Sequence, residues 1–184
     1  MRLFVHTFSI LVNSADCDEL ANQMHQRWLS NKNFGRVAAL IVLHYHKADD
    51  TNLTLFSKCL YHILTDYRNR FMIRNKNRLV FRNSVRALLE LYTTFRQIDP
   101  IISESLLKPI FSSLKMLIDD QADNNDIESL CEIFIDKGSI LVKLKPIKCE
   151  KIILRMRTCL CEWQQLTTNT RRLLLKNGKA NGTI

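Results

Sequence analysis

The sequence predicts an all-α protein, specifically an α-solenoid of stacked antiparallel helical hairpins of the HEAT type. The chain has 184 residues but only 4 Gly and 3 Pro, which is too few for a turn-rich β protein. Apolar residues recur every three or four positions, as they do on one face of a helix. Hydrophobic residues make up 46% of the chain, enough for a buried core. The segments between helices are short, which favours consecutive hairpins over a closed bundle.

The first three predicted helices share this spacing. The first has Asp16 as its N-cap and Glu19 three residues later as a capping-box partner, and it ends near Ser30. The second covers residues 34–47 and the third covers residues 53–69. The third has the most regular apolar stripe, which consists of Phe56, Cys59, Leu60, Ile63, Leu64 and Tyr67.

The fourth predicted helix, residues 76–98, ends at the sequence Asp99–Pro100. The residue before a proline avoids the helical region of backbone space, so the helix stops there. The fifth helix begins near Ser103, with Pro109 bending it or marking its first turns.

Two further helices complete the predicted domain. The sixth begins at Asn125 as N-cap, with Glu128 as the capping-box partner, and contains Gly138 in its middle. The seventh covers residues 147–163, after Pro146. We therefore assign residues 1–166 to a single helical-repeat domain and residues 167–184 to a basic, partly disordered tail.

A basic ridge is the first candidate binding surface. The net charge is +9, and a basic balance favours polyanions or acidic proteins as partners. If the fourth helix begins early, Arg74, Arg78, Arg82 and Arg86 recur every four residues on one face, where guanidinium groups can meet successive phosphates. The full ridge comprises Arg68, Arg70, Arg74, Lys76, Arg78, Arg82 and Arg86. RNA contact, contact with an acidic protein and simple solvation remain open for it.

Aromatic residues beside the ridge add one argument for RNA. Phe71 and Phe81 could stack on unpaired bases, a common feature of single-stranded RNA binding. The same residues also fit the hydrophobic core.

An acidic rim is the second candidate surface and consists of Asp119, Asp120, Asp123 and Asp126. Acids here could steer a basic protein partner, although acids near a helix start are also favoured by the helix dipole. A calcium loop is not expected, because the glycine that an EF-hand loop requires is missing. No metal site or cofactor is predicted.

The cysteine pattern favours a reduced, intracellular protein. The six cysteines include no C-x-x-C pair, and most lie at apolar helical positions. The N-terminal segment MRLFVHTFSILV faintly resembles a signal peptide, but His6, Thr7 and Ser9 interrupt it. No apolar run reaches the ~18 to 20 residues that span a membrane.

Catalysis is not expected from this sequence. It contains no phosphate-binding glycine loop, no dinucleotide-binding glycine motif and no H-E-x-x-H motif. His44 and His46 are two residues apart, so they do not form the i, i+4 pair that binds a metal on one helix.

Three segments in succession resemble a known family. They are VFRNSVRALLELYTTF, SESLLKPIFSSLKMLI and DIESLCEIFIDKGSILV. Together they resemble the middle domain of the translation initiation factor 4G scaffold. The similarity is to its small single-domain relatives, the poly(A)-binding-protein-interacting, cap-binding-complex-dependent and histone stem-loop-binding-protein-interacting factors. The resemblance covers residues 20–163, and its most specific part is Leu130, Cys131, Phe134, Gly138 and Leu141.

The resemblance implies a non-catalytic adaptor in translation initiation or messenger-RNA metabolism, located in the cytoplasm or also in the nucleus. Such a domain recruits a DEAD-box helicase, an initiation factor or an RNA-binding protein, and some members contact RNA. No membrane partner is implied. The family usually continues with apolar helices after the position of Trp163, where this chain has a short basic segment. A secreted helical-bundle signalling protein is the alternative if the N-terminal apolar run is a signal peptide.

Overall fold

The computed structural model describes residues 17–48 and 53–180, with side chains described as far as Asn177, and these residues are helical apart from short connections. The all-α prediction is confirmed. The predicted cap at Asp16 lies outside the described residues. The helices are α1 (Cys17–Ser30), α2 (Phe34–Ala48), α3 (Thr54–Arg68), α4 (Arg70–Lys76), α5 (Arg78–Ile98), α6 (Pro100–Ser105), α7 (Leu107–Met116), α8 (Asn124–Leu144), α9 (Pro146–Glu162) and α10 (Thr168–Ala180).

The chain divides into two compact units, and the division falls within α7. The first unit extends to Ile110 and the second begins at Phe111. None of the helices in the described ranges is both long enough and apolar enough to cross a bilayer.

The first unit is organised around α5, which packs against α1, α2, α3, α4 and α6. The apolar side chains of α5 recur with the helical period, and Phe81, Val85 and Leu91 are almost completely buried. Two buried polar side chains add hydrogen bonds across these contacts. Asn83 Nδ2 donates to the Leu29 carbonyl of α1 at 2.8 Å, and Thr94 Oγ1 donates to the Ala39 carbonyl of α2 at 3.2 Å.

Helices α2 and α5 approach closely at Gly35. A Cβ atom at this position would lie 2.9 Å from the Cα of Ala87 and 3.3 Å from its Cβ. Carbon atoms in normal contact are about 3.5–4.0 Å apart. Glycine is therefore required at position 35 by the helix packing, not by its backbone conformation.

Two capped boundaries differ from the sequence prediction. Asn77 is extended, with φ of −156°, and its side chain accepts hydrogen bonds from the amides of Leu79 and Val80, so α5 begins at Arg78. Asp99 likewise accepts from the amides of Ile101 and Ile102 and begins α6. The prediction that a helix starts only near Ser103 missed this turn, because Asp99–Pro100 ends one helix and caps the next.

The second unit contains α8, α9 and α10, each of which packs against the other two. The N-cap of α8 is Asp123, not the predicted Asn125, and Asp126 completes its capping box in place of Glu128. The buried side chains of this unit include Ile127, Leu130 and Ile152. Gly138 is buried within α8.

The segment predicted as a basic tail contains a packed helix. In α10, Thr170 is 0% exposed and Leu174 is 4% exposed. Thr170 Oγ1 donates to Glu128 Oε1 at 2.8 Å, and Asn177 Nδ2 donates to the Cys131 carbonyl at 3.2 Å. The described part of residues 167–184 is therefore part of the second unit and is not an irregular tail.

Candidate functional site

The candidate site is a surface of the first unit at the end of α3 and on α4, which we call the basic–aromatic surface. It is defined by Arg68, Arg70, Phe71, Met72 and Lys76. Arg68 and Lys76 are exposed. Phe71 is 59% exposed and Met72 is 63% exposed. Two exposed apolar side chains beside exposed cations make this surface a candidate for binding a ligand that is both charged and apolar.

Arg70 is held against two aromatic rings. Its guanidinium carbon lies 4.2 Å from the centroid of the Tyr67 ring and 4.5 Å from the centroid of the Phe71 ring. Its Nη1 donates to the Tyr67 carbonyl at 2.8 Å. These contacts fix the orientation of the guanidinium group and reduce the entropy lost when it binds a partner.

Arg74 does not belong to the exposed ridge. It is 3% exposed, and its guanidinium carbon lies 5.8 Å from the centroid of the Phe81 ring. The prediction of four arginines on one continuous helix is wrong, because Asn77 separates α4 from α5. Arg74 therefore lies on a different helix from the next three arginines and points into the protein.

Arg78, Arg82 and Arg86 remain on one face of α5 at intervals of four residues. All three are half-buried, and each already interacts with other residues. They add positive charge near the surface, but they are less available to a partner than Arg68 and Lys76.

The acidic rim serves mainly to organise the start of α8. Asp123 Oδ1 accepts from the Asp126 amide at 2.8 Å, and Asp126 Oδ2 accepts from the Asp123 amide at 3.3 Å. Asp126 is 0% exposed. Asp126 is therefore not a surface charge, whereas Asp123 is half-buried.

The other two acids of the rim also have local partners. Asp120 forms an ion pair with Arg155 of α9. Asp119 Oδ1 accepts a hydrogen bond from the Gln121 amide at 3.0 Å. Asp120 nevertheless remains at the surface, with its side chain 91% exposed, so the structural interpretation is favoured for Asp123 and Asp126 and not for Asp120.

A histidine cluster between α1 and α3 is a feature that sequence reasoning missed. The rings of His25 and His62 stack with centroids 4.4 Å apart. His25 Nε2 lies 3.0 Å and 3.1 Å from the two carboxylate oxygens of Asp66. The i, i+4 spacing of His62 and Asp66 on α3 was a visible signal, but His25 comes close only through packing.

The cysteines are free thiols with different environments. All six lie in the described part of the chain. Burial raises the pKa of Cys59 to about 12, with Cys17 adding to the effect. Burial, with nearby Glu128 and Glu132, also raises the pKa of Cys131 to about 12. Such thiols remain protonated at neutral pH and are poor nucleophiles.

In the described ranges, no group of three or more His, Cys, Asp or Glu side chains is arranged to hold a metal ion. A comparison with protein-family models and with curated proteins finds no match. The assignment of function therefore depends on the surfaces described above.

Proposed function

We propose that this chain is a non-catalytic helical adaptor in translation initiation or messenger-RNA metabolism that contacts single-stranded RNA through its basic–aromatic surface. The arrangement proposed for its helices is a HEAT-like solenoid. Its protein partner is a DEAD-box helicase, an initiation factor or an RNA-binding protein, and its place of action is the cytoplasm or the nucleus.

The resemblance to the initiation factor 4G middle domain supports the adaptor role. The three similar segments lie on α5, on α6 and α7, and on α8. In the strongest of them, Leu130, Cys131, Phe134, Gly138 and Leu141 are all buried. The residues that carry the resemblance therefore belong to the helical framework, as they would in a shared scaffold.

The observation that carries the RNA proposal is the pairing of Arg70 with Phe71. A guanidinium group ordered by two rings lies beside a phenyl ring that is 59% exposed. Single-stranded RNA presents both a phosphate backbone and unpaired bases, so it can use cations and aromatic rings together. Phe71 and Met72, at 59% and 63% exposure, supply the apolar contacts that the bases of such a ligand would use.

The test is RNA affinity measured by fluorescence anisotropy with a labelled single-stranded oligonucleotide and the full chain. We expect F71A to weaken binding by ~5- to ~150-fold, since stacking on one base contributes about 1–3 kcal/mol. Circular dichroism should show unchanged helicity, because the side chain is exposed.

The double variant R68Q/K76Q tests the phosphate contacts. Losing two such contacts should reduce the slope of log affinity against log salt by about 1.4, at ~0.7 per phosphate on a single strand. The matched control is K143Q/K151Q, which removes the same charge from exposed positions on α8 and α9. If both double variants lost the same RNA affinity and salt slope, only the net charge of the protein would matter, and the proposed surface would be abandoned.

The adaptor role has its own test, which is affinity capture from cytosol with and without ribonuclease. We expect an initiation factor or DEAD-box helicase to remain bound after ribonuclease treatment. Loss of every captured protein would instead indicate tethering through RNA and would contradict direct recruitment.

A further inference from the structure

The contact between α1 and α3 contains two imidazole rings and one carboxylate within a small volume. His25 of α1 stacks on His62 of α3 with an angle of 21° between the ring planes. Asp66, one turn after His62 on α3, has both oxygens within 3.1 Å of His25 Nε2. A carboxylate can only accept here, so His25 Nε2 carries the proton and donates it.

This cluster is partly removed from water. Asp66 is 8% exposed, and the side chain of His25 is 20% exposed. Trp28, which is 1% exposed, meets His25 edge-on with ring centroids 5.2 Å apart. Charges in such a place interact more strongly than charges on the open surface.

The geometry is compatible with one imidazolium ring beside Asp66, but it is unfavourable to two imidazolium rings at once. A protonated His25 forms an ion pair with the buried carboxylate of Asp66, which compensates both charges. Protonation of His62 would then place a second imidazolium face to face with the first, with centroids 4.4 Å apart. Like charges at this distance repel each other.

We propose that His25, His62 and Asp66 form a proton-sensitive contact that holds α1 against α3 near neutral pH and weakens in mildly acidic solution. The contact is independent of the proposed RNA-binding function.

The charged groups around His62 support this proposal. Burial lowers the pKa of His62 below its ordinary value of 6.5, and His25 lowers it further. Asp66 and Asp18 act in the opposite direction, and Lys58 again lowers it. Helices α2, α4 and α5 also pack against α3, but among the residues that the structure describes, the charges acting on His62 belong to α1 and α3.

The direction of the effect follows from linkage. In the unfolded chain His62 takes up a proton as the pH falls through about 6.5, whereas in the folded protein it resists protonation until a lower pH. The contribution of His62 to the stability of the folded state therefore falls from about pH 6.5 downward, until the lower pKa of His62 in the folded protein is passed. Above that window His62 is neutral in both states and the effect is absent.

The first test compares unfolding by urea at pH 7.5 and pH 5.5 for the full chain and for H62Q. The unfolding equilibrium constant of the unchanged protein should increase relative to that of H62Q by up to about tenfold per pH unit below 6.5. The matched control is H44Q, which changes an exposed histidine on α2 and should behave like the unchanged protein. An identical pH dependence in the unchanged protein and H62Q would overturn the proposal.

The second test does not require a variant that folds as well as the parent. Nuclear magnetic resonance follows the ring protons of His62 against pH in the unchanged chain. We expect a midpoint below 6.5, and in H25Q an upward shift because the effect of His25, which lowers the pKa of His62, is removed. A midpoint at or above 6.5 in the unchanged chain would overturn the proposal even if H62Q did not fold.

Discussion

Replacing Gly35 with alanine tests the close contact between α2 and α5. Alanine is favoured over glycine inside a helix by about 0.8–1.0 kcal/mol, so propensity alone predicts a more stable protein. The added Cβ, however, would lie 2.9 Å from the Cα of Ala87, 3.3 Å from its Cβ and 3.4 Å from its nitrogen. The nearest atom belongs to the backbone of α5, so no rotation of a side chain can relieve the overlap.

The expected magnitude follows from these opposing effects. The two helices must separate by ~0.6 Å or more to restore normal carbon contacts. Overpacking of this kind costs about 1–3 kcal/mol. After the gain in helix propensity is subtracted, we expect G35A to lower the free energy of unfolding by about 0–2 kcal/mol, and the melting temperature by up to ~8 °C for a chain of this size.

The assay is urea unfolding followed by circular dichroism, with thermal unfolding as a second measure. The control S139A makes a comparable gain in helix propensity at an exposed position of α8, and it should be neutral or stabilising by up to ~0.5 kcal/mol. A G35A protein more stable than the parent by the full ~1 kcal/mol of helix propensity would refute the reasoning, because it would show that α2 and α5 separate without cost.

Three further predictions follow from single contacts. N77A removes the acceptor for two amides of α5 and should lower the free energy of unfolding in urea by about 0.5–2 kcal/mol. The control N75A, at a neighbouring exposed position, should lower it much less. Equal decreases in the two variants would argue against a capping role for Asn77. T170V removes the hydroxyl that donates a hydrogen bond to Glu128 of α8. We expect limited proteolysis to cleave within α10 faster, by a factor of ~5 or more if the hydrogen bond contributes about 1 kcal/mol. An unchanged cleavage rate would mean that apolar packing alone holds α10 in place. A thiol reagent at pH 7.5 should modify the exposed Cys161 quickly. It should modify Cys59 only after unfolding, because burial raises the pKa of this thiol to about 12. A count of fewer than six free thiols in denatured, unreduced protein would favour the disulfide-bonded secreted alternative.

The sequence by itself determined the helical class and most helix positions. Helix α5 illustrates why. Its apolar residues recur with the helical period, and Phe81, Val85 and Tyr92 are all buried. This periodicity is a local property, so it can be read without knowing which helices meet.

Helix boundaries were predicted less well where several residues compete for one role. The segment DDQADNND contains six side chains able to cap a helix. The prediction chose Asn125, whereas Asp123 and Asp126 form the capping box. Local preferences of these residues are nearly equal, and the choice depends on how α8 packs.

Long-range packing decided the features that matter most for function. Arginine is normally exposed, yet Arg74 is buried near Phe81 because α4 folds against α5. Phe71, five residues after the buried Asp66, remains on the surface. His25 and His62 are far apart in the chain and stack only because α1 packs against α3. Burial and charge pairing depend on contacts between distant segments, and the periodicity of one segment carries no information about the segment it will meet.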